Sequence, residues 1–338
     1  MSQFLKAPQS AAEVGVAGAH DAGSAASGPL VTRSTSVIIC TYTEDRWDAL
    51  ARAVRSIGRQ THPALETIVV IDHDSILLER ARRAFTDARV IESTGEPGLS
   101  GARNSGVAVA AGDIVAFLDD DAVADETWLA ELDRAFDRAN VIGAGGVATP
   151  GWVRGTPPSW LPQEFYWTIG CSYRGLPDDA SPIRNPIGAT MSFRRTVFDR
   201  IEGFSDGIGR IGSTPLGCEE TELSIRARLA HPGSVVLHVP TARVQHVIAA
   251  ERISWAYFRS RCWSEGLSKA LLSRRVGQKE ALQSERAYVL ETLPAGILRG
   301  LRDALRGDLS GLTRAAAIAA GLTVTVAGYV RGQLVRTP

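Results

Sequence analysis

The hydrophobic pattern of the first half of the chain alternates between two kinds of segment. Short apolar runs, such as Ser36–Cys40 and Thr67–Ile71, are typical of strands buried on both faces. Between them the apolar residues recur at helical spacing, as Leu50, Val54 and Ile57 do. This alternation predicts an α/β fold, a Rossmann-like and mainly parallel sheet flanked by helices. The other predicted elements are helices over 76–85, 98–112 and 128–136, and strands over 89–92, 114–118 and 141–148.

The second half of the chain has a different texture. Residues 151–186 carry many aromatic side chains among prolines, a composition typical of long loops. These aromatic residues are expected either to form a platform for a sugar ring or to pack as a small satellite core beneath the loops. Helical patterns return over 194–201 and 219–229, a strand is predicted over 235–239, and the remainder from residue 252 is mainly helical.

Three consecutive carboxylates, Asp119, Asp120 and Asp121, directly follow the apolar strand Ile114–Leu118. Adjacent like charges at the end of a buried strand repel one another unless a cation lies among them. Carboxylate oxygens suit Mg²⁺ or Mn²⁺, and such an ion binds phosphate oxygens in turn. The other explanation is an acidic turn that caps the next helix through Asp125, but capping does not need three adjacent acids.

Polar side chains also end two neighbouring strands. Thr41 follows the first strand and Asp72 follows the second. In open α/β sheets, ligands bind outside the carboxyl ends of the strands. We therefore expect both residues to face the same crevice as the acidic triplet.

Composition narrows the possible partners. The 338 residues contain 37 Lys and Arg against 37 Asp and Glu, a formal net charge of zero. This balance argues against a nucleic-acid partner, which needs a basic surface. Cys40, Cys171, Cys218 and Cys262 are scattered without a Cys-x-x-Cys pair, which argues against zinc and disulfides and favours a reducing, cytoplasmic compartment.

With these elements in place, the chain resembles family 2 glycosyltransferases, enzymes of the GT-A fold that use nucleotide-diphospho-sugars. The resemblance covers about residues 36–250, and its specificity comes from an Asp cluster followed at a distance by a Glu-Glu-x-Glu stretch. The matching segments are SVIICTYTEDR at 36–46, TIVVIDHDS at 67–75, GLSGARNSGVAVAAGDIVAFLDDD at 98–121, RNPIGATMSFRRTVFDRIEGF at 184–204 and GCEETELSIRA at 217–227.

The resemblance implies a donor site and a divalent cation, Mn²⁺ or Mg²⁺. It implies that Asp121 ligates the metal together with Asp119, directly or through water, and that His246 is a third ligand beside them. One departure concerns Asp72-His73-Asp74-Ser75, where the family usually has Asp-Asp-Gly-Ser, so the preference for the base does not carry over from uridine-using relatives. The residues implied to contact the donor are Thr41, Tyr42, Glu44, Asp72, Arg103, Asp119 and Asp120.

Sugar transfer also requires a group that removes the proton of the acceptor hydroxyl. The resemblance assigns this role to Glu220, with Glu219 as the close alternative. Acids in the first turn of a helix also complement its dipole, so helix stability alone would explain one or two of them. The acceptor side is expected to include Trp167, Asn185, Gly188 and Glu222.

The C-terminal segment contains two apolar patterns. Ala315–Val330 is a mostly apolar run of 16 residues, whereas a membrane-spanning helix needs about 20. We expect a helix buried against the protein or lying in a membrane interface. Leu290–Leu305, interleaved with Arg299, Arg302 and Arg306, predicts an amphipathic helix that packs on its own domain or lies on the inner face of the cell membrane.

The expected organisation combines these features. Residues 1–33, rich in Ala, Gly and Ser and without the apolar segment of a secretory signal, are expected to form a disordered arm. A GT-A domain over 34–250 follows, with a donor-binding half at 34–150 and an acceptor-binding, catalytic half at 151–250. A helical region completes the chain over 251–338.

The predicted function is an inverting transfer of a sugar to the hydroxyl of a glycan, a lipid-linked or a small-molecule acceptor, in the cytoplasm or at the inner membrane face. Two alternatives remain at this point. A nucleotidyltransferase shares a similar sheet, but a glycine-rich phosphate loop would be expected where Thr41–Arg46 stands. The other alternative is a non-catalytic sugar-binding relative. An acid at every position expected of an active site argues against it.

Overall fold

The computed structural model describes residues 33–152, 155–205, 217–278 and 285–334. The predicted arm therefore lies, apart from Arg33, outside the described residues. Within the described residues, nine strands form one mixed sheet in the order β3-β2-β1-β4-β8-β6-β9-β5, and β7 pairs with β9. The strands are β1 (Thr35–Thr41), β2 (Glu66–Ile71), β3 (Arg89–Glu92), β4 (Ile114–Leu118), β5 (Ala122–Ala124), β6 (Val141–Trp152), β7 (Pro182–Ile183), β8 (Thr190–Arg194) and β9 (Val235–Ile248).

Helices flank this sheet and extend beyond it at the C-terminal end. Short 3₁₀ segments cover Glu44–Arg46, Gln163–Ile169 and Ala250–Ile253, and a π turn covers Tyr288–Thr292. The helices are α1 (Trp47–Ile57), α2 (Ser75–Ala84), α3 (Leu99–Val109), α4 (Trp128–Ala135), α5 (Arg195–Ile201), α6 (Glu219–Ala230), α7 (Trp255–Val276), α8 (Leu293–Leu305) and α9 (Ser310–Leu334).

The first four strands in sheet order, β3, β2, β1 and β4, are parallel to one another. Alternate residues of each strand enter different cores. In β1, Val37 and Ile39 pack with Leu50 of α1, whereas Ile38 packs with Ala102 of α3 on the opposite face. This burial on both faces explains why the strands are apolar runs. Because the strands are parallel, their carboxyl ends lie along one edge of the sheet.

The predicted α/β class and helical C-terminal region are confirmed, and the structure adds an antiparallel part to the sheet. Strand β8 runs antiparallel to β4 and β6, while β5 and β7 run antiparallel to β9. Sequence analysis did not predict β5, β7 or β8, because each has five residues or fewer and shows no periodicity of its own. It also ended the last strand at residue 239, whereas β9 continues to Ile248.

The aromatic loops form the satellite core that was one of the two expectations for them. Phe165 packs against Phe258 of α7 at a ring-centroid distance of 5.3 Å, and Trp160 lies 5.1 Å from Trp255. Leu293 of α8 completes the same cluster. The C-terminal helices are therefore fastened to the loops that border the site described below.

Helix α9 contains the predicted apolar run. It is 25 residues long, and among the described helices it alone is long and apolar enough to cross a membrane. About a third of its most apolar stretch is buried against the protein. Most of its buried residues are glycine or alanine. At Gly328 an added Cβ would lie 2.4 Å from the carbonyl oxygen of Trp263 in α7. Helices α7 and α9 are thus in backbone contact.

Candidate active site

The acidic triplet occupies the turn between β4 and β5. Asp120 and Asp121 are buried, while Asp119 is about one-third exposed. The backbone of the turn is fixed at both ends, because Ala122 donates to the carbonyl of Asp119 and Val247 donates to that of Asp121. The side chains are therefore held at the carboxyl edge of the parallel strands, as the sequence predicted.

The pairing of β5 with β9 brings His246 to this turn. Ala122 lies opposite His246 in the antiparallel register. The Nε2 atom of His246 lies 2.9 Å from Oδ1 of Asp121 and 3.9 Å from Oδ2 of Asp119. Within the described residues, ligand atoms of these three side chains all lie within 4.8 Å of one another.

This donor set fits a divalent cation. Two carboxylates and an imidazole are ligands that Mn²⁺ and Mg²⁺ accept, and Asp119 leaves one side open to solvent. His246 is buried, and its Nε2 atom is the one that lies 2.9 Å from Asp121. Asp119, Asp121 and His246 are the residues that would hold the cation.

Two arginines neutralise the triplet in this structure. Arg46 donates to Oδ1 of Asp120 at 2.8 Å and lies 3.5 Å from Asp121. Arg252 donates to Oδ2 of Asp121 at 3.1 Å, the oxygen that does not face His246. Each comes from a short 3₁₀ segment beside the turn, Glu44–Arg46 or Ala250–Ile253. The protein itself thus supplies part of the positive charge that a metal ion would bring to these carboxylates.

The titration of the cluster follows from these contacts. Burial opposes ionisation of Asp121, but His246, Arg252 and Arg46 hold its pKa well below its usual range. Burial would also lower the pKa of His246, yet Asp121 raises it to about 10. Burial, together with repulsion from Asp121, raises the pKa of Asp120 to about 6. Asp121 and His246 therefore form an ion pair at neutral pH, and a cation that binds both must displace a proton from His246.

The residues predicted to contact the nucleotide lie on the other side of the triplet. Thr41 donates to Asp120 at 2.7 Å, and Tyr42 lies under the guanidinium of Arg46. Asp72 accepts a hydrogen bond from the backbone of Gly98 at 2.9 Å, and its second oxygen has no partner among the described residues. Burial raises the pKa of Asp72. Asp72 also borders the cleft.

His73 replaces the acid usual in the family and adopts a left-handed backbone with φ of 55°. Its ring lies 2.9 Å from the carbonyl oxygen of Gly95 and 3.8 Å from Asp72. His73 is thus a turn residue that contacts the loop before α3.

Arg103 connects the donor side to the glutamates. It is almost fully buried, and it lies 3.1 Å from Oε1 of Glu219 and 3.5 Å from Oδ1 of Asp119. A Cβ at Gly188 would come within 3.1 Å of its guanidinium, so the small residue leaves room for the arginine. Arg103 was predicted to contact the donor, and the structure places it between the metal ligands and helix α6.

Helix α6 begins at Glu219, after Cys218 in the left-handed conformation. Glu219 is engaged by Arg103, whereas Glu220 faces the cleft without an ion pair to any described residue. Burial and the adjacent Glu219 raise the pKa of Glu220 to about 8. Glu220 therefore lines the cleft and has a pKa close to physiological pH.

Two predicted site residues do not line the cleft. The side chain of Glu44 is about half exposed and lies 3.3 Å from Arg80. Glu222 is buried on the far side of α6, where it pairs with Arg226 at 2.6 Å and accepts from Ser205 at 2.9 Å. In the predicted acceptor side, Trp167, Asn185 and Gly188 do line the cleft.

The roles of Arg46 and of the cleft residues Arg184 and Lys269 were not predicted from the sequence. Arg46 follows β1 by five residues, and its position near a strand end was the available signal. The others reach the cleft through long-range packing, which leaves no local pattern in the sequence.

Comparisons with known proteins agree with this geometry. Residues 36–202 match the family model described as glycosyl transferase family 2. A glucosyl-dolichyl phosphate glucuronosyltransferase of Haloferax volcanii is 30% identical over 306 residues, which span 88% of this chain and 96% of that protein. The chain belongs to glycosyltransferase family 2. It is a glycosyltransferase.

More distant relatives share the fold. The probable N-acetylgalactosaminyltransferase 9 of Caenorhabditis elegans is 26% identical over 64% of this chain and 40% of its own length. The mannosyltransferase PcManGT of Pyrobaculum calidifontis, solved with GDP-Man and Mn²⁺, superposes with a TM-score of 0.51 at 16% identity over 87% of both chains. GalNAc-T7, solved with UDP, GalNAc and Mn²⁺, gives 0.51 at 17% identity over 76% of this chain and 55% of that one. These similarities show the GT-A fold.

The first prediction concerns the metal centre. Replacing Asp121 with Asn removes one ligand and weakens Mn²⁺ binding by about 100-fold or more, since even the partners of ligands contribute about 10- to 100-fold. Electron paramagnetic resonance of free Mn²⁺ measures the affinity. The matched control is Asp125→Asn, an exposed acid four residues away and outside the cluster. Equal Mn²⁺ affinity in the two variants would contradict the assignment.

Proposed function

We propose that the chain is an inverting glycosyltransferase that moves a sugar from a nucleotide-diphospho-sugar to an acceptor hydroxyl. The observation that supports this best is that one cleft contains both the cluster of Asp119, Asp121 and His246 and the carboxylate of Glu220. Arg103 links the two parts through its contacts with Asp119 and Glu219.

On the donor side, Thr41, Tyr42 and Asp72 are proposed to bind the base and ribose. The unpaired oxygen of Asp72 would accept a hydroxyl hydrogen, and Asp120, held by Thr41 and Arg46, would contact the ribose or the sugar. No particular base is assigned to the sugar nucleotide, because His73 occupies the position at which the family has its second acid. Glu44 would need to move from Arg80 to reach this site.

Negative charge develops on the leaving diphosphate during transfer. A divalent cation at Asp119, Asp121 and His246, Mn²⁺ or Mg²⁺, would stabilise that charge as a Lewis acid. Arg46 and Arg252 are proposed to keep Asp121 ionised before the donor binds, so that its carboxylate is available to a cation. Arg103 would add a fixed positive charge beside the phosphates.

Glu220 is proposed to be the general base. The acceptor oxygen attacks the anomeric carbon, the bond from that carbon to the diphosphate oxygen breaks, and the hydroxyl proton passes to the carboxylate of Glu220. Attack opposite the leaving group inverts the anomeric carbon. Glu219 is the less suitable base, because Arg103 already occupies one of its oxygens and stabilises its charge.

The domain division is part of the same proposal. Residues 34–150 would bind the donor, 151–250 would contribute the acceptor side and the base, and 251–338 would place the enzyme at the inner face of the cell membrane. The acceptor is a glycan, a lipid-linked sugar or a small molecule; the relative from Haloferax is named for a dolichyl phosphate. Helix α8 supports the membrane contact, since Leu298, Leu301 and Leu305 are exposed.

The second prediction tests the base. Glu220→Gln lowers kcat by about 100-fold or more, the usual contribution of general-base catalysis, and leaves binding of the nucleotide-sugar with Mn²⁺ unchanged. Glu220→Asp retains part of the activity, since it keeps the carboxylate and is one methylene shorter. Because the pKa of Glu220 is raised to about 8, kcat/KM of the unmodified enzyme rises with pH up to that value. A Gln variant with full activity would exclude Glu220.

The third prediction tests the membrane contact. Replacing Leu298, Leu301 and Leu305 together with Gln lowers binding to anionic lipid vesicles, because apolar area on an exposed helix is lost. The control replaces three equally exposed apolar residues outside the C-terminal helices, Leu65, Ile76 and Leu229. Co-sedimentation with vesicles measures both. If the two triple variants sediment alike, the contact does not involve α8.

A further inference from the structure

The first turn of α6, the helix that contains Glu220, is not stabilised in the usual way. Its N-cap residue is Cys218, whose backbone is left-handed with φ of 74°, and within the described residues its side chain makes no capping hydrogen bond. Ser, Thr, Asp or Asn normally occupies this position and accepts hydrogen bonds from the first turn. A residue with a Cβ is also strained in the left-handed region unless the surrounding structure holds it there. Contacts from outside α6 must therefore stabilise this turn.

Helix α7 supplies such contacts. Gly217 donates its N–H to Oγ of Ser268 at 3.1 Å, and Sγ of Cys218 lies 3.7 Å from Oε1 of Glu265. A Cβ at Gly217 would lie 3.9 Å from Oε2 of the same glutamate. Leu272 packs against Cys218 one turn further along α7. Both residues that precede α6 are thus in contact with α7.

The contact between Cys218 and Glu265 joins a neutral thiol to a charged carboxylate. Burial raises the pKa of the Cys218 thiol well above its usual range, so the sulfur keeps its hydrogen and donates it. Although burial opposes ionisation of Glu265, Lys269 and Arg261 lower its pKa. A hydrogen bond to an ionised acceptor is stronger than one between neutral groups. This bond is therefore able to hold Cys218 in its strained conformation.

Glu265 is itself held in place by its neighbours. Nζ of Lys269, one helical turn later in α7, lies 3.0 Å from Glu265 and 2.6 Å from Glu285. Glu285 pairs in turn with Arg184 at 2.6 Å. The side chains of Glu265 and Lys269 are both at least 85% buried. The carboxylate that contacts Cys218 therefore has a fixed position.

Glu265 also acts on Glu220 through its charge. The charged groups that act on Glu220 come from three elements: Glu219 on α6, Arg103 on α3 and Glu265 on α7. Burial and Glu219 raise the pKa of Glu220, Arg103 lowers it and Glu265 raises it again. Glu265 and Glu220 line the same cleft. One carboxylate thus contacts the turn before Glu220 and increases the affinity of Glu220 for a proton.

We propose that Glu265 is a positioning residue for the general base. Its carboxylate holds the thiol of Cys218, the left-handed turn at Cys218 sets the direction in which α6 begins, and α6 places the carboxylate of Glu220 in the cleft. The inference rests on the proposed function and adds to it a role for α7, which lies outside the domain predicted over 34–250.

The first test replaces Glu265 with Gln, which keeps the size of the side chain and removes its charge. The substrate is the nucleotide-sugar that raises the thermal stability of the full-length protein most with Mn²⁺, and water serves as the acceptor. Hydrolysis is expected to lose about tenfold in kcat, within the roughly 100-fold that a displacement of about 1 Å can cost. Donor affinity stays unchanged. The control is Glu291→Gln, an exposed acid of the π turn that does not line the cleft, which changes neither quantity.

The pH dependence distinguishes this role from a general loss of structure. Removal of the negative charge of Glu265 lowers the pKa of Glu220 below about 8, so the rise of kcat/KM with pH moves to lower pH. Infrared spectroscopy follows the same group without substrate, through the C=O band of its protonated carboxyl, which Glu220→Gln identifies. In Glu265→Gln this band is expected to disappear at lower pH. A variant that only loosens the fold would leave the midpoint unchanged.

Variants of Cys218 test the contact itself. Cys218→Ala removes the thiol and leaves the charge of Glu265, so it lowers kcat about tenfold without moving the infrared midpoint. Cys218→Ser keeps a hydrogen-bond donor and most of the activity. The double variant Cys218→Ala with Glu265→Gln loses about as much as either single variant, because both remove the same contact. The S–H stretching band of Cys218, identified by its loss in Cys218→Ala, shifts in Glu265→Gln.

The outcomes separate this inference from the proposed function. If Glu265→Gln behaves as Glu291→Gln does, if the two losses multiply in the double variant, or if neither the infrared midpoint nor the S–H band moves, the inference is wrong. If no nucleotide-sugar binds with Mn²⁺, the proposed function is wrong. The infrared midpoint and the S–H band need no substrate, so they decide the positioning of Glu220 by Glu265 in either case.

Discussion

The site depends on holding three adjacent carboxylates together at the end of a buried strand. Such a group is stable only where positive charge is close, and the structure supplies it from separate parts of the chain: Arg46 after β1, His246 on β9 and Arg252 before α7. Each of these elements must be in place before the acids can be. The sheet, the pairing of β5 with β9 and the C-terminal extension are therefore coupled through one cluster of charge.

Neighbouring acids in this cleft are suited to different roles because their electrostatic surroundings differ. Asp121 is surrounded by cations and stays ionised, which suits a metal ligand. Glu220 is buried beside another acid, which raises its pKa to about 8, so its carboxylate form has a high affinity for a proton, as a general base requires. Glu222, in the same helical turn, forms an ion pair with Arg226 and so contributes to the fold. Spacing along the sequence alone does not distinguish these three environments.

Local features of the sequence were sufficient to predict the parallel half of the sheet, because its strands are apolar on both faces and the helices between them have a clear periodicity. The crevice at the ends of β1, β2 and β4 followed from topology. What the sequence did not show depends mainly on long-range pairing: the antiparallel strands β5, β7 and β8 and the role of Arg46. The ion pair of Glu222 with Arg226 is local, four residues apart in α6, and Glu222 does not line the cleft. Glu44 was expected at the donor site from its place in a motif, but it lies on the surface beside Arg80.

The proposed function requires that the acidic triplet and His246 bind a divalent cation together with the diphosphate of a sugar donor. Anomalous X-ray scattering from a crystal that contains Mn²⁺ and a nucleotide-sugar tests this directly. We expect an anomalous peak within bonding distance of Asp119, Asp121 and His246, with a phosphate oxygen as a further ligand. A peak elsewhere in the cleft, with Asp121 still paired to His246 and Arg252, would contradict it.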